Sequence, residues 1–281
     1  MGYRHIMRLD KYLAEASVGS RKVVRNYVKE ERITVNDLLI TEPAFEIDVD
    51  KDIVKHLGTE VIHTGKLYYM FHKPAGCVTA RKDAVNKTVL DYFDPEIAKG
   101  LFPVGRLDKD TEGLLLLTND GEFSHSLMHP NKHVEKTYFF RALGQIDSGD
   151  MEKLINGVTI GQDVTRVDTD EDSGKMNGTD ELVKAIKIEI VEEGQYRDFK
   201  GPFDTDKMKS ISINPKEQKV VAGYLTISEG RKHQVKRMLK AVGCYIMYLK
   251  RVSIGGLLLD ATLEEGQYRE LTLEEIKLLY H

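Results

Sequence analysis

The chain has 281 residues, 41% hydrophobic and 31% charged, with 41 Lys and Arg against 45 Asp and Glu, a formal net charge of -4 at pH 7. This length suits one large domain or one medium and one small domain, and two domains are the better expectation. No apolar run approaches the roughly 18 residues that a membrane-spanning helix needs. No positively charged start precedes an apolar segment, as it would in a secretory signal. We therefore expect a soluble protein that contacts no membrane.

The two cysteines, Cys77 and Cys244, lie far apart in the chain, and neither belongs to a CxxC pattern. Free cysteines in small number are typical of the reducing cytoplasm and argue against a zinc or disulfide scaffold. We expect a cytoplasmic protein in which both thiols pack as small apolar side chains.

The slightly negative total charge hides a strongly uneven distribution. Residues 228–251 contain seven Lys and Arg against one Glu, which leaves a charge of +6. Residues 163–181 contain seven Asp and Glu against two basic residues, which leaves -5. Because binding a polyanion depends on the local field, the total of -4 does not exclude a nucleic acid as partner.

Residues 7–56 are predicted to form a small module of two helices and a hairpin. Apolar residues recur at helical spacing in "MRLDKYLAEAS", and Ser20 is a good N-cap for a second helix. One face of that second helix is basic, with Arg21, Arg25, Lys29 and Arg32 spaced by four, four and three residues. "RITVNDLLI" follows as a strand, a turn and a strand. A basic stripe of this kind is either a solvated helix face or a surface for a polyanion.

The rest of the chain reads as a linker and a larger domain. Residues 57–66 are polar and contain glycine, and "KLYYMFHKPAG" begins the domain of residues 67–281 with a strand. Further strands are predicted at 114–118, 136–142, 182–191, 220–228 and 251–259. Helices are predicted near 87–94, 121–129, 147–156, 231–242 and 272–279. This irregular interleaving predicts an α+β fold on a mixed, mostly antiparallel sheet, with residues 192–219 as an inserted loop or hairpin.

Three histidines, His125, His129 and His133, share a spacing of four that would place metal ligands on one helical face. Pro130 disfavours a helix that runs through all three. No HExxH or comparable ligand pattern is present, so we predict no metal site.

The stretch "GRLDKDTEG" places a carboxylate and an arginine directly before the apolar strand at Leu114 to Leu117. A carboxylate at the end of a strand could be a reagent. Each part also has a structural explanation: Asp108 could form an ion pair with Arg106, and Asp110 could cap a turn with Thr111. Further along, Asp120 and Gly121 read as an Asp-Gly turn. The residues alone leave a catalytic Asp108 and a structural Asp108 both open.

Two resemblances extend this interpretation. "RLDKYLAEASVGSRKVVRNYVKEERITVN" resembles an S4 RNA-binding domain, although Asp37 stands where that family usually has Gly. The resemblance implies RNA contacts for Arg21, Lys22, Arg25 and Lys29. "FPVGRLDKDTEGLLLLTNDGEFSHSLMHPNKHVEKTY" and "ISEGRKHQVKRMLKAVGCYIMYLKRVSIGGLLLDATLEEGQYRELT" resemble the RsuA branch of the RsuA/RluB/RluE/RluF pseudouridine synthases.

The second resemblance implies a role for particular residues. Asp108 matches the family's nucleophile, Tyr138 the tyrosine that packs on the flipped uracil, and Lys236 the basic residue paired with the aspartate. The substrate-binding positions that it implies are Arg106, Leu107, Ile254, Arg231 and Arg237. It implies no chemical role for Lys109, Asp110 or Glu112.

The chemistry of such a reaction fits these residue types. Turning uridine into pseudouridine moves the bond to C1' from N1 to C5 without redox change or hydrolysis, so we expect no cofactor. A carboxylate kept ionised by a nearby cation is a suitable nucleophile. An aromatic side chain helps to hold a base that has left its stack.

The expected substrate is a uridine of 16S ribosomal RNA, in an assembly intermediate of the small subunit, acted on by a monomeric enzyme. A site in 23S RNA, or an inactive protein that binds or assembles ribosomal RNA, is the alternative. Two departures concern the choice of RNA: the segment 192–219 is longer than is usual in the family, and Cys244 stands where a polar residue is common.

Overall fold

The computed structural model describes residues 5–16, 18–63, 65–161, 181–203 and 217–280. Most of the acidic segment 163–181 and the middle of the predicted insertion lie outside these ranges. Within them, no helix is both long and apolar enough to cross a membrane.

The described residues from 5 to 60 form a compact N-terminal module (residues 5–60). Its secondary structure elements are, in chain order, β1 (Ile6–Arg8), α1 (Leu9–Glu15), α2 (Arg21–Lys29), β2 (Ile33–Val35), β3 (Leu38–Leu39), β4 (Glu46–Asp48), β5 (Val54–His56) and β6 (Thr59–Glu60). Strands β3, β2, β5 and β6 form one sheet in that order, and β1 pairs with β4. The sheet therefore continues past residue 56 into the predicted linker.

Helix α2 starts where the sequence predicts, because the Ser20 side chain accepts a hydrogen bond from the backbone N–H of Val23. Val24 and Val28 are fully buried against α1 and the sheet. The opposite face of α2 is exposed and carries Arg21, Arg25 and Lys29 of the predicted stripe. Arg32 does not share this face, because the helix ends at Lys29 and Glu31 adopts a left-handed conformation with a φ angle of 59°.

The C-terminal domain (residues 67–280) is built on one sheet of nine strands. Its strands are β7 (Tyr68–Lys73), β8 (Phe102–Val104), β9 (Glu112–Thr118), β10 (Lys136–Leu143), β13 (Lys187–Gln195), β14 (Lys219–Ile227), β15 (Tyr245–Ile254), β16 (Leu257–Leu258) and β17 (Tyr268–Glu270). The main path runs β13-β14-β10-β15-β9-β7-β17, while β16 pairs with β15 and β8 with β9. Only β15 and β9 pair in parallel among the described strands, which confirms the predicted α+β fold on a mixed, mostly antiparallel sheet.

Helices cover this sheet, and a short separate hairpin lies beside it. The helices are α3 (Pro95–Ala98), α4 (Gly121–Met128), α5 (Ser148–Asn156), α6 (Gln234–Ala241) and α7 (Leu273–Leu278), and the hairpin consists of β11 (Val158–Ile160) and β12 (Glu181–Val183). Short 3-10 turns occur at Val89–Tyr92, Pro130–Lys132 and Tyr196–Asp198.

The run of four leucines in β9 is buried on both sides of the sheet. Leu115 and Leu117 belong to the larger apolar core on one face, whereas Leu114 and Leu116 belong to the core on the other face. All four side chains are fully inaccessible to solvent. Burying each of them contributes about 2 kcal/mol, and a strand covered on both faces has no reason to alternate apolar and polar residues.

Three local predictions were wrong in detail. Asp120 does not form an Asp-Gly turn, because its side chain accepts hydrogen bonds from the N–H groups of Glu122 and Phe123 and caps α4. The helix predicted at 87–94 is the 3-10 turn Val89–Tyr92, and α3 follows after Asp94. The strand predicted at 251–259 begins six residues earlier, at Tyr245, and reverses direction after Ile254 at a Gly-Gly pair.

Both cysteines are buried in the larger apolar core, as predicted. Burial raises the pKa of both thiols, that of Cys244 to about 11. They are therefore uncharged packing residues at neutral pH.

The parallel contact between β9 and β15 depends on Gly113. Its φ angle is +101°, and a Cβ atom at this position would lie 2.2 Å from the backbone oxygen of Arg251. Replacing Gly113 with Ala is expected to lower the free energy of unfolding by about 2 kcal/mol or more, as measured by urea denaturation. Gly121→Ala is the matched control, because a Cβ there meets nothing within 4 Å. Equal stability of the two variants would contradict the close approach.

Candidate active site

The loop 105–111 connects β8 to β9 and is fixed through its backbone. The Thr79 hydroxyl donates to the Leu107 carbonyl at 2.7 Å and accepts from the Leu107 N–H at 3.1 Å. The Thr111 N–H donates to the Asp108 carbonyl at 3.1 Å and closes a turn. These bonds orient the Asp108 side chain without involving its carboxylate.

A buried lysine lies beneath the same loop. Lys73, at the end of β7, is completely inaccessible to solvent, and its ammonium donates to the carbonyls of Pro74 (3.0 Å), Lys109 (3.3 Å) and Thr111 (2.9 Å). Burial lowers the pKa of Lys73, and nearby groups that include Asp110 and Asp108 oppose that shift. Lys73 thus connects the first strand of the domain to both ends of the turn that follows Asp108.

The Asp108 carboxylate faces two basic side chains. Lys236 Nζ lies 2.9 Å from Asp108 Oδ2, and His233 Nε2 lies 3.6 Å from Oδ1, beyond hydrogen-bond distance. The Asp108 side chain is 27% exposed, so solvent reaches one side of it. Lys236 also contacts the carboxylate of Asp110. Burial alone would lower the pKa of Lys236, but Asp108 and Asp110 outweigh that effect and raise it.

Helix α6 brings Lys236 to this position. The helix predicted from residue 231 starts only at Gln234, because His233 adopts a left-handed backbone conformation with a φ angle of 52°. Gln234 is buried and bonds both the backbone N–H of Arg231 (2.8 Å) and the carboxylate of Glu229 (3.0 Å). Val235, Met238 and Leu239 pack into the larger core, which leaves Lys236 directed at Asp108.

Most of the predicted site residues meet at one small cavity. It measures about 70 Å³, and its lining includes Arg106, Leu107, Asp108, Tyr138, Arg231 and Lys236. Arg106 is exposed, Leu107 and Tyr138 are buried, and Arg231 lies 3.4 Å from Glu229 and 3.6 Å from Glu181. A loop, a central strand and a helix that are far apart in sequence therefore converge where the motifs predict a site.

Two predicted substrate-binding residues lie elsewhere. Ile254 is buried in the smaller apolar core and is not among the residues that line this cavity. The Arg237 guanidinium donates to the carbonyls of Lys232, Ile160 and Gly161, so it connects α6 to β11. Neither position contacts Asp108 in the structure.

The structure adds four residues that the sequence did not point to: Lys73, Thr79, His233 and Asp110. No chemical role was predicted for Asp110, yet its carboxylate and that of Asp108 both contact Lys236. For Lys73 and Thr79 no sequence signal existed, because both act through backbone atoms of the loop. His233 stands three residues before Lys236, and only its left-handed conformation brings it to Asp108.

The predicted RNA-binding residues of the N-terminal module lie together on one face. Arg21, Lys22 and Lys29 are exposed on α2. Arg25 is tied down, since its Nε donates at 2.8 Å to the fully buried carboxylate of Asp10. Near α4, the His125 and His129 rings lie 5.2 Å apart. The described residues contain no group of three or more His, Cys, Asp or Glu placed to hold a metal ion.

Comparison with known proteins agrees with this arrangement. The model of the RNA pseudouridylate synthase family matches residues 67–241, and that of the S4 domain matches residues 7–54. The chain therefore belongs to the RNA pseudouridylate synthase family and carries an N-terminal S4 domain.

Relatives of known name match over almost the whole chain. An "Uncharacterized RNA pseudouridine synthase YtzG" of Bacillus subtilis is 39% identical over 97% of this chain and 98% of its own. "Ribosomal small subunit pseudouridine synthase A" of Escherichia coli is 33% identical, with 96% of this chain and 98% of that protein covered. "Ribosomal large subunit pseudouridine synthase B" of Bacillus subtilis is also 33% identical, with 97% and 95% covered.

A solved structure supports the fold directly. The chain superposes on a crystal structure of a pseudouridylate synthase with a TM-score of 0.58 and 30% identity, with 97% of this chain and 99% of the other covered. Both domains of the chain thus have counterparts in one known molecule.

Beside Tyr138, the sheet buries two cations. Lys136 lies two residues before Tyr138, and Arg251 is the register partner of Tyr138 on β15. Their exposed fractions are 7% and 3%. Lys136 donates to the Val134 carbonyl and Arg251 Nε to the Leu114 carbonyl, both at 2.8 Å. Burial, reinforced by Arg251, lowers the pKa of Lys136 to about 8.

The pKa of Lys136 makes stability depend on pH. An unfolded lysine has a pKa near 10.4, so between about pH 8 and pH 10 the unfolded chain holds a proton that the folded chain has released. The free energy of unfolding should therefore rise with pH in this window, by up to about 1.4 kcal/mol per pH unit from this residue. We expect the difference between the wild-type protein and Lys136→Met, measured by urea denaturation, to follow that slope. A constant difference across the window would contradict the lowered pKa.

Proposed function

We propose that the protein converts a uridine of ribosomal RNA into pseudouridine and that Asp108 is the nucleophile. The observation that carries the proposal is the position of the Asp108 carboxylate, next to Lys236 Nζ at 2.9 Å, in a cavity that Tyr138 also lines. Lys236 places its positive charge beside the carboxylate that we propose acts on C1' of the ribose. The fixed backbone of the loop keeps Asp108 oriented while the base turns.

The reaction needs only groups that this site contains. The bond from C1' to N1 breaks as the Asp108 carboxylate stabilises or attacks C1', and the freed uracil turns so that C5 meets C1'. The bond from C5 to C1' forms as the carboxylate leaves C1', which regenerates Asp108. C5 then loses its proton, and N1 gains one. Tyr138 is the aromatic surface against which the flipped base packs, and we propose that it assists removal of that proton.

Asp108 Oδ1 is the oxygen that we expect to approach C1'. Oδ2 is engaged by Lys236 Nζ at 2.9 Å, whereas His233 Nε2 lies 3.6 Å from Oδ1, beyond hydrogen-bond distance. Arg106 is exposed at the mouth of the cavity, where its cation can hold the displaced nucleotide. Arg231 lies at the same opening and supplies a second cation for the phosphates.

The N-terminal module is proposed to bind the same RNA through α2. Arg21, Lys22 and Lys29 present exposed cations on one helix, and such contacts position a nucleic acid without reading its sequence. We assign the substrate to 16S RNA in an assembly intermediate of the small subunit, which a monomer modifies in the cytoplasm. The motif around "SHSLMHPNKHVEKTY" and the likeness to the small-subunit enzyme of Escherichia coli support this choice. The equally similar large-subunit enzyme of Bacillus subtilis supports a 23S site as the alternative.

The role of Asp108 is tested by replacing its carboxylate with an amide of the same shape. Asp108→Asn should reduce tritium release from ribosomal RNA labelled with [5-³H]uridine by more than about 1000-fold, since the nucleophile is lost. Asp110→Asn is the matched control, because Asp110 contacts the same lysine but is 54% exposed. It should lose less than about 10-fold.

Equal release by wild type and Asp108→Asn would remove Asp108 from the reaction. A wild-type protein that binds ribosomal RNA tightly but releases no tritium would identify an RNA-binding or assembly protein instead of an enzyme.

The choice between the two ribosomal RNAs is tested in cells. Carbodiimide treatment and primer extension should reveal one pseudouridine stop in 16S RNA that is missing when the gene is deleted. The wild-type gene should restore the stop, and Asp108→Asn should not. A stop missing from 23S RNA would establish the alternative substrate, and an unchanged pattern in both RNAs would contradict the proposed function.

A further inference from the structure

Strand β9 connects two functional ends. Its N-terminal end follows the loop that carries Asp108. Its last residue is Thr118, and Asn119 and Asp120 come directly after it. At about 3.3 Å per residue its seven residues separate the two ends by about 23 Å. Because β9 is buried on both faces, the two ends cannot move independently.

Asn119 lies against the N-terminal module and the chain that connects it. Its side chain is buried, Oδ1 accepts from the Leu67 N–H at 2.8 Å, and Nδ2 donates to the Gly65 carbonyl at 2.8 Å. Nδ2 also lies 3.4 Å from the carbonyl of Glu15, the last residue of α1. One amide therefore contacts the connecting chain and the module together.

The neighbours of Asn119 strengthen the same contact. Asp120 Oδ2 accepts from Lys66 Nζ at 2.6 Å and from the Tyr68 hydroxyl at 2.8 Å. The Thr118 hydroxyl donates to the Leu67 carbonyl at 2.6 Å. Every residue from Gly65 to Tyr68 is thus bonded to the end of β9 or to the cap of α4.

The connecting chain is also fixed to the module. His63 Nε2 lies 3.1 Å from Glu15 Oε2, and the His63 ring stacks on Tyr12 with centroids 5.1 Å apart. The Tyr12 hydroxyl donates to the Val61 carbonyl at 2.8 Å. A direct ion pair joins the two bodies as well, with Lys11 Nζ 3.3 Å from Glu122 Oε1.

We propose that Asn119 is a positioning residue that fixes the distance from the RNA-binding face of the N-terminal module to Asp108, and so determines which uridine enters the site. A free linker of ten residues would let the module range over about 17 Å, so uridines at several distances from the bound RNA element could reach Asp108. A fixed module presents one distance. This inference rests on the proposed function and adds to it the residue that determines which uridine is modified.

The test measures geometry and site choice on the full-length protein. Spin labels are placed on exposed residues of the two bodies by Lys51→Cys and Glu152→Cys, since both native cysteines are buried. Double electron-electron resonance should give one narrow distance in the otherwise wild-type protein. It should give a broad distribution after Asn119→Ala.

The same variants are then assayed on ribosomal RNA. Asn119→Ala should lower the rate at the target uridine by about 10-fold and yield pseudouridine at additional positions, with RNA affinity changed less than about 2-fold. Asn119→Asp keeps the acceptor for Leu67 and loses both donors, and it should behave like Asn119→Ala. Asn156→Ala, at an exposed position on α5, is the matched control and should change neither readout.

A second variant distinguishes a loss of positioning from damage to strand β9. Lys66→Ala removes a partner of Asp120 from outside β9 and should broaden the distance and spread the modified positions in the same way. A purely structural defect would lower the rate at the target without creating new positions.

Two results would overturn the inference. One is a distance distribution that stays narrow in all variants. The other is a broad distribution without new modified positions, whether the rate at the target falls or stays unchanged. A wild-type protein that forms no pseudouridine would instead overturn the proposed function, while the resonance measurement would still decide whether Asn119 fixes the module.

Discussion

Burial of β9 on both faces is the constraint on which the rest of the molecule depends. Four consecutive leucines fill the apolar cores above and below the sheet, and Gly113 lets β15 approach in parallel. A strand held in this way has no freedom to slide or tilt. The polar residues at its two ends therefore stay in fixed places, with Asp108 near the start and Asn119 at the end.

The active-site end is held by charges whose surroundings differ sharply. Lys73 is enclosed and meets three carbonyl oxygens, which stabilise the charge of its ammonium and fix the loop. Lys236 meets two carboxylates at the edge of solvent. The first cation organises the backbone of the loop, and the second places a positive charge beside the Asp108 carboxylate.

The sequence predicted the fold class and the strands with strong apolar patterns. It also predicted that Asp108, Tyr138 and Lys236 share one site, because the motifs that contain them resemble those of one family. The sequence-based prediction failed where tertiary contacts determine which of two local structures a residue adopts. Asp120 has the composition of a turn, and only the position of α4 makes it a cap.

The missed residues share a physical reason. Lys73 and Thr79 act through backbone carbonyls and N–H groups, which carry no sequence signature. His233 reaches Asp108 through a left-handed conformation that a non-glycine residue adopts only when its surroundings impose it. For residues 57–66, polar composition indicated a linker, whereas the structure extends the sheet of the N-terminal module to Glu60 and bonds the following residues to β9. The polar composition of this segment is compatible with exposure to solvent, but it does not reveal whether another part of the chain packs against the segment.

Hydrogen bonds and ion pairs make the contact between the N-terminal module and the C-terminal domain, and their polar character has a consequence. Each such bond contributes only about 1 kcal/mol net, but a buried amide left without its partners costs more than that. Asn119 can satisfy its acceptor and donor groups in one arrangement of Gly65, Leu67 and Glu15, and any slip leaves several of them unpaired. An apolar contact of the same area would tolerate sliding by several ångströms. A polar contact at the end of a rigid strand instead defines one distance, which is the property that selection of a single uridine requires.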